Sequence, residues 1–455
     1  MSPMLNEMLA GKLSMAFPNV TLTQLEQRKG QPLEVYTGTG HVSLDERGRL
    51  RLQFLTQTNL SIHQTFPILE VEPGELIPKS MMFRFEGVET DGRRWVCEEF
   101  IPHFSSGPGG SIATATFGSL STIRQVAPEH VRQSSTVTSF FKVKPSFWAV
   151  PWSSFAAETL KHPHEQAAKR GLKINGNGWK LVLAADEAWF SSHTECTPSD
   201  IANGFADKVV RALELWLGQH LEPVYEVLAD GDKRTITLHS SYIRAFQNSY
   251  PPVNERAPGT VGDSLQLFRL FLDRLAADPK PDWSPLVIHT RTATASMEGP
   301  LDLMALVLSV SVEGLVRSEL PTIKRAVAAD MNNDIDAVTK LIQDGNYCAD
   351  FKKRAPGIIG NLRGTSPRDV LLVLEGANSL PAGSEKVWSS LRNRAAHATT
   401  GGSVSQAQIE QLYQDCRAVL VLLYRLVFLA LGYQGLHSDY SAKGWRDEPW
   451  TRSKP

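Results

Sequence analysis

The chain has 455 residues and carries 47 Lys and Arg against 48 Asp and Glu, a net charge of −1. This balance excludes a global basic field of the kind that draws in nucleic acid, so any such site must be a local patch. The composition, 42% apolar and 21% charged, is that of a soluble globular protein, and the length predicts two or three domains. Cys97, Cys196, Cys348 and Cys416 lie far apart, with no CxxC and no metal-ligand spacing. They predict a reduced protein with free, mostly buried thiols, in the cytoplasm. Residues 1–20 lack a signal-peptide pattern. The apolar runs 303–312 and 418–436 are too short or too interrupted to span a bilayer, so they read as core helices and no membrane partner is expected.

The N-terminal half is β-rich. Runs 34–42 and 49–55 flank Asp45-Glu46-Arg47-Gly48, and runs 82–88 and 94–100 flank Glu89-Thr90-Asp91-Gly92, whose Asp-Gly favours a tight turn. Runs 111–117, 136–143 and 171–183 add further strand-like stretches. Short strands at this spacing predict a sandwich or an open barrel. The period changes at 199–226, where Asp200 is a candidate cap for a helix carrying Ile201, Phe205, Val209, Leu213, Trp216 and Leu217. Run 235–238 returns as strand. A β-rich domain over 1–248 follows, and 249–262, with three prolines and two glycines, reads as a linker.

From 263 to 455 the pattern is helical, and the fold class is α+β multidomain with a C-terminal all-α bundle. Helices are expected over 263–277, 299–320, 338–351, 366–379 (opened by Ser-Pro), 384–398 and 405–432, the last closed by Gly432. Glu313, in an otherwise apolar helix, needs a partner if buried, and a structural ion pair or hydrogen bond within the bundle is the plain expectation.

Within 384–398 stands Arg392-Asn393-Arg394-Ala395-Ala396-His397. Arginine holds phosphate with a planar fork of donors, and histidine moves protons near neutral pH. The same spacing recurs at Arg234/His239, in an alternating strand-like run, and a spacing one residue longer at Arg124/His130, interrupted by Pro128 in what reads as a loop. Neither offers a helical frame. Arg394 is a candidate second phosphate contact. Lys352, Lys353 and Arg354, with Arg363 and Arg368, form the best local basic patch for RNA backbone and are expected between two helices. The glycine-rich 105–111 lacks the Lys-Ser/Thr of a phosphate-cradling loop and reads as a flexible loop. His162, His164 and His193 read as exposed loop residues rather than zinc ligands. The aromatics among 140–155 read as core.

Residues 391–397, together with the helix 305–315 around Glu313, the closing 422–426 and the exit 431–440, resemble the HEPN superfamily in its ApeA-like, abortive-infection anti-phage branch. The likeness covers about a third of the chain. It implies a helical bundle that dimerises, bringing two motifs into one composite site. Arg392 and His397, five residues apart, are rotated about 140° on a helix, which leaves room for a second copy to complete the site. It further implies a toxin-like ribonuclease with no metal and no cofactor. In it Arg392 grips the scissile phosphate, Asn393 orients it and His397 acts as general base or acid. The β-rich half would sense a phage-derived or small-molecule trigger. The rival expectation is a non-catalytic dimerising protein whose β domain binds a ligand.

Overall fold

The computed structural model describes residues 3–28, 30–58, 76–107, 110–125, 134–142, 170–176, 178–185, 189–240, 250–253, 261–278, 283–297, 299–323, 329–360, 366–396 and 405–450. The chain divides into two compact units: residues 1–209 with 221–247, and 210–220 with 248–455.

The first unit is a large antiparallel sheet. Its strands are β1 Ser14–Gln24, β2 Val35–Leu44, β3 Leu50–Thr56, β4 Phe83–Val88, β5 Arg94–Phe100, β6 His103–Gly107, β7 Gly110–Phe117, β8 Ser119–Gln125, β9 Ser135–Phe141, β10 Arg170–Asn175, β11 Lys180–Ala185, β12 Phe190–Cys196, β13 Pro223–Asp230 and β14 Lys233–His239. They run in the order β10-β11-β12-β9-β13-β14-β8-β5-β4-β1-β2-β3-β7-β6. The turns carry the expected chemistry. Asp45 Oδ1 accepts from the backbone of Arg47 and Arg49, and Gly48 takes φ 79°. Gly92 takes φ 83°, where a side chain would be strained. In β3, Leu50, Leu52 and Phe54 point inward while Arg51, Gln53 and Leu55 point out. The sheet curls, so that rings far apart in strand order meet: Phe100 of β5 and Phe85 of β4 lie 5.0 and 5.1 Å from Phe117 of β7. Helix α1, Pro3–Ala10, adds Leu5 and Met8 to this core.

Several expectations change here. Strand β1 begins well before residue 30 and sits centrally, between β2 and β4. Its register breaks between Phe17 and Val20, where Pro18 and Asn19 lie, and this break hides the alternation. Residues 105–107 and 110–111 are the ends of β6 and β7, with Gly107 paired to Gly110, rather than a flexible loop. His193 is no loop residue. It is buried in β12, its Nδ1 2.7 Å from Thr138 Oγ1. His130, His162 and His164 lie outside the described residues. Phe140 and Phe141 are core as expected, and the remaining aromatics of 147–155 lie outside the described residues. The expected helix over 199–226 is two helices, α2 Pro198–Ala202 and α3 Phe205–Leu217, followed by β13. Thr197, not Asp200, is the cap; Asp200 closes the capping box from its third position.

The second unit holds α4 Val261–Ala276, α5 Pro285–Ser296, α6 Leu301–Glu319, α7 Ala329–Asp344, α8 Ala349–Gly360, α9 Pro367–Gly376, α10 Ser384–Ala396 and α11 Gln406–Leu431. It is not all-α: β15 Gly435–Asp439 and β16 Arg446–Trp450 form a hairpin behind α11. Helix α6 packs against α5, α10 and α11. The Ser366 cap of α9 and the Gly432 cap of α11, at φ 68°, form as read; Asp369 and the Ser405–Gln408 pair add capping boxes. Helix α5 carries no clear apolar period because Thr290, Thr294 and Ser296 return their hydroxyls to carbonyls three or four residues back, which lets polar residues be buried. The expected helix 338–351 is two, broken near Gly345. Lys352, Lys353 and Arg354 therefore lie in α8 and not between helices.

Tyr250–Val253, the start of the proline-rich stretch, is buried. Tyr424 and Tyr440 hydroxyls donate to the carbonyls of Tyr250 and Pro251 at 2.6 and 2.5 Å, and the Ser438 amide donates to Pro252. Residues 254–260 lie outside the described residues. Cys97, Cys196 and Cys416 are buried and Cys348 is exposed; burial pushes the Cys97 and Cys416 thiols up to about 12.

Candidate functional site

Helix α10 is built to hold one face down. Glu385, Trp388 and Leu391 are buried at spacings of three, whereas Arg392, Asn393 and Arg394 are exposed. Its start is capped from α9, where Glu375 accepts from the backbone amides of Gly383 and Glu385. Midway, the Trp388 indole donates to the Ser309 carbonyl of α6 at 3.0 Å, which locks α10 against α6.

One turn on from Trp388, the Arg392 guanidinium lies 5.8 Å from the centre of the indole ring. Its Nε donates to Glu313 Oε2 at 3.1 Å. The other oxygen of Glu313 accepts from Arg317 Nη2 at 2.9 Å. Glu313 thus makes the ion pair expected of it, and the partner is the motif arginine itself. The side chain of Arg392 remains 50% exposed, so the group is aimed without being buried. Arg394 leaves the opposite flank of α10 and meets Asp415 of α11 at 3.6 Å. Asn393 lies between them, exposed. His397, the remaining motif residue, follows Ala396 in sequence and lies outside the described residues. Of the expected basic patch, Lys353 and Arg354 are exposed on α8 and Lys352 is half-buried. Arg368 pairs with Glu385 at 2.9 Å, and Arg363 lies outside the described residues.

No protein-family model, curated protein or solved structure matches this chain. The residues alone carry the reading.

Sequence reasoning missed two features around Glu313 of α6. The first is Arg317, although Glu313 and Arg317 stand at i and i+4, a spacing that does announce a helical ion pair. The second is His289 of α5. Its imidazole lies directly over Gly314, so that a Cβ there would come within 2.0 Å of Nε2. No linear signal joins residues 25 apart on different helices. Burial lowers the His289 pKa, keeping the ring neutral at neutral pH. Elsewhere in this unit Glu214 is almost fully buried among Arg211, His220 and Arg291, an ionic cluster that the pattern of α3 does not reveal.

Two surface clefts lie among the described residues of the first unit. One of about 570 Å³ is lined by Trp179, Glu195 and Cys196, and one of about 440 Å³ by Arg49, Arg51, Glu99 and His103. Arg234 and His239 lie on β14 as expected, and Arg124 lies on β8 rather than in a loop, registered opposite Arg234; His130 lies outside the described residues. Among the described residues no three His, Cys, Asp or Glu come together as a metal site, and no helix is long and apolar enough to cross a membrane.

Proposed function

We propose that this chain is a metal-independent endoribonuclease of the HEPN type, with Arg392, Asn393 and His397 as its working residues. The observation that carries the reading is the state of Arg392. It is half exposed, held by Glu313 and Trp388, and is followed in sequence by Asn393 and His397, so its guanidinium can meet an anion arriving from solution beside a proton carrier.

RNA brings its own nucleophile. In the proposed reaction an imidazole takes the proton of the 2′-OH and the oxygen attacks the adjacent phosphorus. The bond to the 5′-oxygen breaks, and that oxygen receives a proton. The products are a 2′,3′-cyclic phosphate and a 5′-OH. His397 serves as the proton carrier, and Arg392 balances the charge that grows on the phosphorane oxygens. Lys353 and Arg354 would extend the path of the RNA backbone.

A second copy of the chain is the natural partner of this surface. Leu303, Leu306 and Val310 of α6 are 48%, 45% and 53% exposed, in one stripe that runs up to Glu313. Burying that stripe against its twin would bring two motifs together. The β-sheet unit would act as sensor for a phage-derived or small-molecule trigger, with the cleft at Trp179 the place to seek it. A toxin-like role in anti-phage defence, in the cytoplasm, completes the reading.

The test is cleavage of end-labelled RNA by the full chain. Arg392→Ala and His397→Ala should each reduce the rate at least a hundredfold with melting temperature unchanged, on the scale of losing a general acid–base group or an oxyanion donor. EDTA should leave the wild-type rate intact, and one 2′-deoxy sugar at the cut site should block the cut. Equal cutting of single-stranded DNA rules the mechanism out.

A further inference from the structure

The arrangement around Glu313 is more specific than one ion pair. Its two carboxylate oxygens are taken by two different guanidiniums, Oε1 by Arg317 at 2.9 Å and Oε2 by Arg392 at 3.1 Å. Two cations converging on one anion with two terminal oxygens is also the geometry that grips a phosphodiester through its two non-bridging oxygens. The exposures are graded in the same sense. Arg317 and Arg392 are 66% and 50% exposed, while the Glu313 side chain is 23% exposed and lies behind them. An anion approaching from solvent therefore meets the guanidiniums before the carboxylate.

The backbone of each partner is held independently of the carboxylate. Arg317 lies one turn on from Glu313 in α6. Arg392 comes from α10, whose position is set by the buried Trp388 bond to Ser309. Removing the carboxylate thus leaves both arginine backbones in place and frees their guanidiniums for another anion. Exposed pairs of this kind hold weakly and loosen with salt, so the occupant of the clamp is exchangeable.

We propose that Arg317 is a second phosphate-binding residue of the site, and that Glu313 fills the Arg317–Arg392 clamp in the resting protein. An RNA phosphodiester then binds by displacing the carboxylate. This rests on the ribonuclease reading for the identity of the anion as RNA. The clamp would also account for a mid-helix acid in an apolar stripe: Glu313 keeps the site closed to stray anions, and a polyanion with several contacts overcomes it.

The experiment measures binding apart from cleavage. The full chain is titrated against a fluorescent, uncleavable 2′-O-methyl RNA oligonucleotide by anisotropy, over a series of salt concentrations. Glu313→Gln keeps the size of the side chain and removes its charge; it should tighten binding about tenfold. Arg317→Ala should weaken binding about tenfold and lower the salt slope by about one, as expected when one phosphate contact is lost. Arg317→Lys should fall between. In an Arg317→Ala background the gain from Glu313→Gln should shrink, because half of the clamp is gone. Arg94→Ala, which removes the same charge from an exposed pair with Glu86 in the β-sheet unit, is the control and should leave the slope unchanged. The proposal is overturned if Glu313→Gln leaves affinity unchanged or weakens it, if Arg317→Ala behaves like Arg94→Ala, or if no oligonucleotide binds. If the variants behave as stated but ordinary RNA is never cut, the ribonuclease reading falls and the clamp stands. If Arg392→Ala abolishes cutting while Arg317 and Glu313 variants bind like the wild type, the reverse holds.

Discussion

His437 offers a prediction whose size follows from its surroundings. It is 2% exposed in β15, with its ring edge-on to Phe428. Its Nδ1 lies 2.9 Å from the Glu448 carbonyl, which can only accept, so Nδ1 carries the proton. Its Nε2 accepts from Arg425 Nε at 3.1 Å. Protonating Nε2 would therefore break a hydrogen bond and set a second cation against a half-buried guanidinium. Burial, and then the Arg425 charge, push the pKa down to about 4 from the ordinary 6.5. The sign follows from linkage. The unfolded chain takes up a proton near pH 6.5 and the folded one only near 4, so His437 leaves stability untouched above 6.5 and removes it as the pH falls from 6.5 to 4. At ~1.4 kcal/mol for each pH unit, the loss by pH 4 is about 3 kcal/mol, an order-of-magnitude figure. The assay is urea unfolding of wild type and His437→Gln at pH 7, 6, 5 and 4. The substitution should destabilise at pH 7, where it disturbs two hydrogen bonds. Its deficit should then shrink by most of that 3 kcal/mol at pH 4, since the other titrating groups are shared and cancel. A deficit that stays constant across the series refutes the reasoning. So does a His437 Cε1 resonance that titrates near 6.5.

Two further predictions concern α6, the helix that carries Glu313. Gly314→Ala should gain about 1 kcal/mol of helix propensity, but the new methyl would lie 2.0 Å from His289 Nε2 and must expel the ring. In the wild type the gain should be cancelled, whereas in a His289→Ala background it should appear in full, a coupling of about 1 kcal/mol read from a double-mutant cycle in urea. Equal effects in both backgrounds would mean the imidazole does not rest on Gly314. Leu306→Glu with Val310→Glu should convert a dimer to monomer in light scattering and abolish RNA cleavage without lowering the melting temperature; a monomeric wild type at micromolar concentration removes the composite site.

Local chemistry made much of this protein legible in its sequence. Asp45 to Gly48 and Asp91-Gly92 announced their hairpins because a turn depends on the φ preference of a few adjacent residues. Ser366-Pro367 and Gly432 marked the ends of α9 and α11 for the same reason. The helical setting of Arg392 and the strand setting of Arg234 followed from apolar spacing within one or two turns. Where local signals conflicted, packing decided. Strand β1 keeps its central place despite Pro18, because a bulge absorbs the missing donor while Phe17 and Val20 both stay in the core. Helix α5 forms despite its threonines, because their hydroxyls find carbonyls in the same helix.

What no linear reading supplied is the candidate site itself. Glu313 and Arg392 are 79 residues apart, and His289 and Gly314 sit on different helices. Those juxtapositions exist only because Trp388 docks α10 on α6 and the missing Cβ of Gly314 admits an imidazole. Residue type and spacing determine which helix an arginine rides on and which way it faces. The anion it meets is set by the neighbouring helix, whose approach depends on the shapes of side chains contributed from distant parts of the chain.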